Sequence, residues 1–115
     1  MATPRMTLQV QLVLAEMLSE PAEPRYGLDM SAATGLPSGT IYPILARLER
    51  IGWVDSGWED PDAHIAEGRP RRRYYRLTRE GAECAEEALQ AIQRARKTAA
   101  RAWRIPAPGT SGASA

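Results

Sequence analysis

The stretch SGTIYPILARLERI, residues 38–51, decides the fold. The pattern of its residues predicts a single helix with two opposite faces. At about 100° per residue, five aliphatic side chains share one face and are predicted to point into a core: Ile41, Ile44, Leu45, Leu48 and Ile51. The opposite face carries Gly39, Tyr42, Pro43, Ala46 and Arg50, flanked by Ser38, Thr40 and Arg47. Because Gly39 and Ala46 are small, this face can approach a groove wall while Tyr42 and the arginines reach outward.

The start of this helix is open to two interpretations because Pro43 has no backbone N–H. Ser38 is predicted as the N-cap, and Gly52 ends the helix. Either the Gly39 carbonyl then lacks an intrahelical donor, or the regular helix begins at Thr40 and Pro43 lies in its first turn.

Two further helices precede this one. The nearer is predicted over residues 26–34, with Gly35 as its left-handed C-cap, and a turn of only three or four residues leads to Ser38. Two helices joined this closely, with a glycine in the turn, are typical of a helix-turn-helix. The first helix is predicted from its N-cap, Thr7, to about Ser19. Its apolar residues surround nearly the whole cylinder and must be covered on more than one side: Leu8, Val10, Leu12, Val13, Leu14, Ala15, Met17 and Leu18.

The sequence after Gly52 changes to a period of two, which favours β-strands. One strand is predicted over Val54–Trp58 and another over Arg73–Leu77, joined by a polar loop at residues 59–70. Two strands directly after a helix-turn-helix form a wing. Five acids (Asp55, Glu59, Asp60, Asp62 and Glu67) are followed by six arginines (Arg69, Arg71, Arg72, Arg73, Arg76 and Arg79). Although the net charge is only +1, this basic block would attract a polyanion.

A long last helix is predicted over residues 79–104, with Thr78 as its N-cap and a length of roughly 40 Å. Acidic residues lie early in it and basic residues late, which complements the helix dipole. Its apolar stripe consists of Leu89, Ile92, Ala99 and Trp103. The core of so small a domain cannot bury the whole stripe. Together with Leu8 and Leu12, this stripe is predicted to form a homodimer interface.

The length of 115 residues suits one domain. The predicted fold class is mainly α with a small β-wing: a winged helix-turn-helix at residues 7–78 plus a C-terminal dimerisation helix at residues 79–104. Residues 1–6 and 105–115 are predicted to be disordered. No signal peptide or apolar run of about 20 residues is visible, and one cysteine, Cys84, excludes an internal disulfide. We therefore expect a cytoplasmic protein without a membrane partner.

Two stretches resemble the PadR family of transcriptional regulators. The first is Tyr26-Gly27-Leu28 with GTIYPIL at residues 39–45 and Arg47-Leu48-Glu49, and the second is GRPRRRYYRLT at residues 68–78 with Glu80-Gly81. The resemblance implies a homodimeric regulator, usually a repressor, that binds a pseudo-palindromic operator near its own or neighbouring genes. It also implies the shorter branch of the family, whose last helix pairs with the first helix in the dimer. Some relatives release DNA on binding aromatic or drug-like molecules, so a small aromatic effector is a candidate partner and Trp103 its candidate contact.

Double-stranded DNA is the predicted main partner, since each phosphate neutralised by an arginine releases counterions. The predicted contacts are Ser38, Gly39, Thr40, Tyr42, Pro43, Arg47 and Arg50 on a helix in the major groove, Arg69, Arg71, Arg72 and Arg73 in the wing, and Tyr26. Other roles fit some of the same residues. The arginines could protect an exposed strand edge, Ser38 could act only as a cap, and Tyr42 or Tyr26 could serve in packing.

Catalysis and metal sensing are poorly supported. Cys84 and His64, the single cysteine and the single histidine, cannot supply the four ligands of a usual protein metal site. Cys84 also lies in an alanine-rich helix without an oxyanion device, so we predict no enzyme activity, cofactor or metal. Two alternatives to operator binding stay open: a protein-interaction adaptor built on the winged helix, and a sensor whose main property is aromatic binding at the dimer interface.

Overall fold

The structure, a computed structural model, describes residues 3–103 except the side chains of Ala63 and His64. Its elements are helix α1 (Leu8–Ser19), strand β1 (Arg25–Tyr26), helices α2 (Gly27–Thr34) and α3 (Ser38–Arg50), strand β2 (Val54–Trp58), helix α4 (Pro61–Glu67), strand β3 (Arg73–Leu77) and helix α5 (Arg79–Ala102). This order is a winged helix-turn-helix with a long C-terminal helix, as predicted. The predictions for residues 1–2 and 104–115 lie outside the described residues. Of residues 3–6, Pro4 is buried and Met6 packs against the core.

The helix ends follow local hydrogen bonding. Thr7 Oγ1 accepts a hydrogen bond from the backbone N–H of Val10 at 3.2 Å. Thr78 Oγ1 accepts one from the backbone N–H of Gly81 at 2.9 Å, so both predicted N-caps are confirmed. Gly35 ends α2 with a φ of +76°, which confirms the predicted left-handed C-cap.

The predicted start of α3 is wrong by one residue. Pro37, whose backbone is extended, is the N-cap in place of Ser38. The Pro37 carbonyl accepts a hydrogen bond from the backbone N–H of Thr40 at 2.9 Å, so the helix is already established before that residue. Pro43 therefore lies inside the helix. Because proline has no N–H, the carbonyl of Gly39 lacks its intrahelical donor, which is the first of the two alternatives above.

The core lies where the helices α1, α2 and α3, the sheet and the start of α5 meet. Its buried hydrophobic residues are Val10, Val13, Leu14, Met17, Met30, Ile41, Leu45, Leu48, Trp53, Val54, Tyr75, Leu77 and Ala85. Ile41, Leu45 and Leu48 confirm the predicted inward face of α3. The backbone of α5 comes very close to Trp53, since a Cβ on Gly81 would lie 1.9 Å from the Trp53 carbonyl oxygen. Only glycine leaves room for this approach.

The sheet has the strand order β1-β3-β2 and is antiparallel throughout. β2 and β3 are the two predicted strands, and Ser56 pairs with Tyr75 at the centre of their register. β1 is absent from the sequence prediction. It has two residues, of which Tyr26 pairs with Tyr74. A strand this short shows no periodicity, so pairing with β3 decides it.

The wing loop differs from its predicted form because residues 61–67 form α4. Asp60 Oδ1 accepts a hydrogen bond from the backbone N–H of Asp62 at 2.9 Å, and Pro61 is the first helical residue. Both features favour a helix start. The dipeptide Asp60-Pro61 is therefore a start signal that the polar composition of the loop concealed.

α5 extends far beyond the core. Its 24 residues span about 36 Å at the usual rise per residue. Gly81 and Ala85 are buried and Leu89 is half-buried, whereas residues 93–103 are all exposed. Neither α5 nor another helix in the described part of the chain is long and apolar enough to cross a membrane.

Candidate nucleic-acid interface

The outward face of α3 is open over most of its length. Exposed residues on it are Gly39, Tyr42, Pro43, Ala46, Arg47 and Arg50, while Ser38 and Thr40 are half-buried. Among the described residues, neither Arg47 nor Arg50 pairs with a carboxylate. The face thus combines small residues, one aromatic ring and two uncompensated cations, which suits a helix lying in the major groove of DNA.

The ring of Tyr42 packs where α3 meets α2. Gly27, the first residue of α2, is buried, and a Cβ there would lie 2.3 Å from Tyr42 Cζ. The ring therefore occupies the space that a side chain at position 27 would need. Tyr42 remains 41% exposed, so it is a surface residue and not part of the core.

The wing arginines reach the same place. The guanidinium carbon of Arg72 lies 4.0 Å from the centroid of the Tyr26 ring, a favourable cation–π contact. A cleft of about 190 Å³ results, lined by Tyr26, Gly27, Leu28, Tyr42, Arg71, Arg72 and Arg73. The fold thus brings residues predicted to contact DNA from β1, α3 and the wing into one cleft.

Arg71 and Arg73 both lie close to the indole of Trp58. Their guanidinium carbons lie 5.8 and 5.4 Å from the centroid of its ring. Arg73 Nη2 also donates a hydrogen bond to Ser56 Oγ at 2.6 Å and lies 3.5 Å from Glu49 Oε2. Arg73 therefore links the wing to the last turn of α3, whereas the Arg71 side chain is exposed beside the indole.

Arg69 is held by two carboxylates. It donates to Glu59 through Nη1 and, at 3.0 Å, through Nη2, and its Nε donates to Glu67 at 2.9 Å. The hydrogen bond from Arg69 lowers the pKa of Glu59 from 4.5 to about 2 and also lowers the pKa of Glu67. The pairing raises the pKa of Arg69 above its usual value. Its charge is compensated inside the wing, so the geometry does not favour the predicted contact of Arg69 with DNA.

The comparison with known families agrees with this geometry. Residues 14–87 match the family described as "Transcriptional regulator PadR-like family". The protein belongs to this family. The predicted resemblance is therefore confirmed, and the PadR-like regulator is a DNA-binding regulator of transcription. No curated protein matches its sequence.

Solved structures share the fold of the PadR-like regulator. A PadR family transcription regulator from Clostridium difficile R20291 is 24% identical, with a TM-score of 0.62 over 77% of this chain and 92% of that chain. The PadR-like transcriptional regulator BC4206 from Bacillus cereus strain ATCC 14579 is 22% identical, with a TM-score of 0.64 over 85% and 93%. The PcaV transcriptional regulator from Streptomyces coelicolor, solved in complex with its natural ligand, is 25% identical, with a TM-score of 0.66 over 91% and 68%. The winged-helix fold is common to all three.

The predicted dimer residues of the PadR-like regulator come from α1, from α5 and from the residue that follows α5. A groove of about 250 Å³ between α1 and α5 is lined in part by Leu8, Leu12, Leu89 and Ile92. The two leucines from α1 are open to solvent, since Leu8 is 62% and Leu12 is 39% exposed. Ala99, further along α5, and Trp103, which follows its last residue, are exposed and do not line this groove. The fold brings the first four residues together and leaves the last two apart.

Leu28 lines the cleft and is missing from the predicted site, as are three residues that shape the cleft or hold its arginines. Gly27 makes room for Tyr42, Trp58 contacts two arginines and is 51% exposed, and Glu59 binds Arg69. A glycine at the start of a helix, next to Tyr26, is a signal that could have drawn attention to Gly27. For Glu59 the sequence offers no signal, because it stands in a run of acids that are otherwise exposed.

Proposed function

We propose that this PadR-like regulator acts in the cytoplasm as a homodimeric repressor that binds a pseudo-palindromic operator. The observation that carries the proposal is the cleft in which Tyr26, Tyr42 and Arg71–Arg73 meet. In this cleft the open face of α3, whose shape fits the major groove, lies next to cations that can bind the phosphates bordering that groove. A symmetric pair of such surfaces matches two half-sites of an operator.

The contacts divide according to the chemistry of each side chain. Base edges are proposed to meet the N-terminal half of α3, through Ser38, Gly39, Thr40, Tyr42 and Pro43. The Gly39 carbonyl, which lacks its helical donor, adds an acceptor on this exposed face. A carbonyl acceptor matches the amino groups that adenine and cytosine present in the major groove. Phosphates are proposed to meet Arg47, Arg50 and Arg71–Arg73, with Tyr26 placing Arg72.

Electrophoretic shifts with DNA from upstream of the protein's own gene test operator binding. Arg72→Glu should weaken binding to all sequences alike by about tenfold or more, because a phosphate contact carries no sequence information. Arg79→Glu is the matched control, since it makes the same charge change at a side chain that is 94% exposed and lies at the start of α5. A folded chain that forms no complex at low salt would exclude operator binding. If that chain were also monomeric, the adaptor role would be favoured instead.

A second copy of the chain is proposed to cover the groove between α1 and α5. The groove exposes Leu8 and Leu12, which water disfavours. The exposed second half of α5 and Trp103 after it, residues 93–103, extend beyond the core and can lie against the partner. A helix about 36 Å long gives each protomer an arm that reaches across the other. Sedimentation of the purified protein should therefore show a dimer.

A small aromatic effector is proposed to bind at this dimer interface and release the DNA. Trp103 follows the last turn of α5 and is 80% exposed, so its indole face is available for stacking. The neighbour PcaV was solved in complex with its natural ligand, which supports the binding of a ligand by a regulator of this fold. Planar aromatic compounds should quench tryptophan fluorescence in the wild type and in Trp58→Ala, but not in Trp103→Ala. Quenching that survives in Trp103→Ala would overturn this assignment.

A further inference from the structure

Glu59 is the one buried charged residue among the described side chains, with 6% of its surface exposed. It follows β2 directly, whereas Asp60, Asp62 and Glu67 in the same wing are exposed. Burial of a carboxylate is unfavourable unless hydrogen bonds and opposite charges compensate for the lost water. A wing that only faces solvent would not need a buried carboxylate. The groups that bind Glu59 therefore indicate what Glu59 does.

Both carboxylate oxygens of Glu59 are occupied. Oε1 accepts hydrogen bonds from the backbone N–H of Arg72 at 2.8 Å and from Arg69 Nη1. Oε2 accepts one from Arg69 Nη2 at 3.0 Å and lies 3.5 Å from Arg72 Nε. The Glu59 backbone N–H donates to the Arg72 carbonyl at 2.9 Å, and the Glu59 carbonyl accepts from Arg71 Nε at 3.1 Å. Three arginines therefore converge on one residue.

These contacts determine where Arg71 and Arg72 lie. Glu59 binds both the backbone N–H and the backbone carbonyl of Arg72, which fixes the Arg72 backbone. From this fixed backbone the Arg72 guanidinium reaches the Tyr26 ring. Arg71 is held through Nε by the Glu59 carbonyl, and its guanidinium carbon lies 5.8 Å from the centroid of the Trp58 ring. Without a carboxylate among them, three guanidinium groups this close in sequence would repel one another and separate.

We propose that Glu59 is a positioning residue of the DNA interface, which directs Arg71 and Arg72 into the cleft beside α3 while Arg69 compensates its charge. Glu59 itself touches no DNA. The inference rests on the proposed contact between the wing arginines and phosphates. It assigns to an acidic residue a favourable effect on the binding of a polyanion.

Charge and positioning predict opposite signs for the same substitution. If charge alone mattered, removing an acid near the interface would strengthen the attraction to DNA. Glu59→Gln removes the charge and, with it, the ion pairs to Arg69 and Arg72, so the affinity for duplex DNA should fall by about fivefold or more. The slope of log K against log salt concentration should become shallower by about 0.9 for each phosphate that an arginine no longer neutralises. Asp60→Asn, the matched control at an adjacent exposed acid, should keep the slope and bind as well as or better than the wild type.

A double-mutant cycle with Arg69→Gln separates positioning from direct contact. If Arg69 acts only through Glu59, the double variant E59Q/R69Q should lose no more affinity than E59Q. The double variant contains neither unpaired charge, so it keeps the test available if circular dichroism shows that E59Q does not fold. Additive losses would overturn the proposal, because Arg69 would then bind phosphate itself.

Two further results have distinct meanings. Wild-type affinity or tighter binding in E59Q, with an unchanged salt slope, would also overturn the positioning role. Failure of the proposed function looks different, since the wild type and Arg72→Glu would then bind DNA equally or not at all.

Discussion

Replacing Gly27 with alanine should weaken DNA binding while leaving the stability of the fold almost unchanged. The new Cβ would lie 2.3 Å from Tyr42 Cζ, whereas carbon atoms in contact are about 3.5 to 4 Å apart. The Tyr42 ring must therefore move by more than about 1 Å. It can do so, because it is the end of a side chain that is 41% exposed.

The two free energies change for separate reasons. Gly27 does not have a positive φ, so alanine fits the backbone. Because alanine lowers the conformational entropy of the unfolded chain, it should stabilise the folded state by about 0.5 kcal/mol. This gain offsets the weaker packing of the ring, and the free energy of unfolding should stay within about 1 kcal/mol of the wild type. DNA affinity should fall about fivefold, which corresponds to the removal of one hydrogen bond between Tyr42 and the DNA.

Urea unfolding and DNA titration at one salt concentration measure these two quantities. Tyr42→Ala provides the background that isolates the cause, since Gly27→Ala should have no further effect on DNA binding once the ring is absent. The reasoning is refuted if Gly27→Ala binds DNA like the wild type, or if it lowers the free energy of unfolding by more than about 2 kcal/mol, a loss typical of rigid overpacking.

Three further changes test other parts of the molecule. Gly81→Ala should lower the free energy of unfolding in urea by about 3 kcal/mol, because the new methyl group would meet the Trp53 carbonyl, which belongs to the backbone and cannot move aside. The Glu59 carboxyl should titrate near pH 2 by carbon NMR, so the stability that it contributes is complete above pH 4.5 and is lost as the pH falls through about 2. A titration midpoint near pH 4.5 would contradict the pairing of Glu59 with Arg69. Leu12→Asp should convert the proposed dimer into monomers by sedimentation, whereas Ile65→Asp, at a residue 69% exposed on α4, should not.

Much of the fold could be predicted because the signals are local. An N-cap such as Thr7 or Thr78 acts on a backbone N–H only three residues away, and the two faces of α3 follow from helical geometry alone. The same local rules failed where an element is too short to show a period. β1 has two residues and α4 has seven, and pairing with β3 or a start signal at Asp60 decides them.

The candidate site could be predicted as a set of elements but not as a set of contacts. Tyr26, Tyr42 and Arg72 come from three parts of the chain, and the cleft that joins them depends on how β1, α3 and the wing pack. The place of Tyr42 against Gly27 also depends on that packing, because the ring fills a space on another helix.

The sequence by itself determined the helix-turn-helix, the wing and the concentration of basic residues in it, because composition and period are properties of neighbouring residues. Only the tertiary structure decided which of these arginines face the cleft. Arg69, Arg71 and Arg72 are equivalent as letters in a basic block. The buried carboxylate of Glu59 distinguishes them, since it engages the Arg69 guanidinium through both terminal nitrogens, whereas the other two are held in part through backbone groups. Such pairing acts through space over about 3 Å, and no order of residues along the chain shows which groups will come that close.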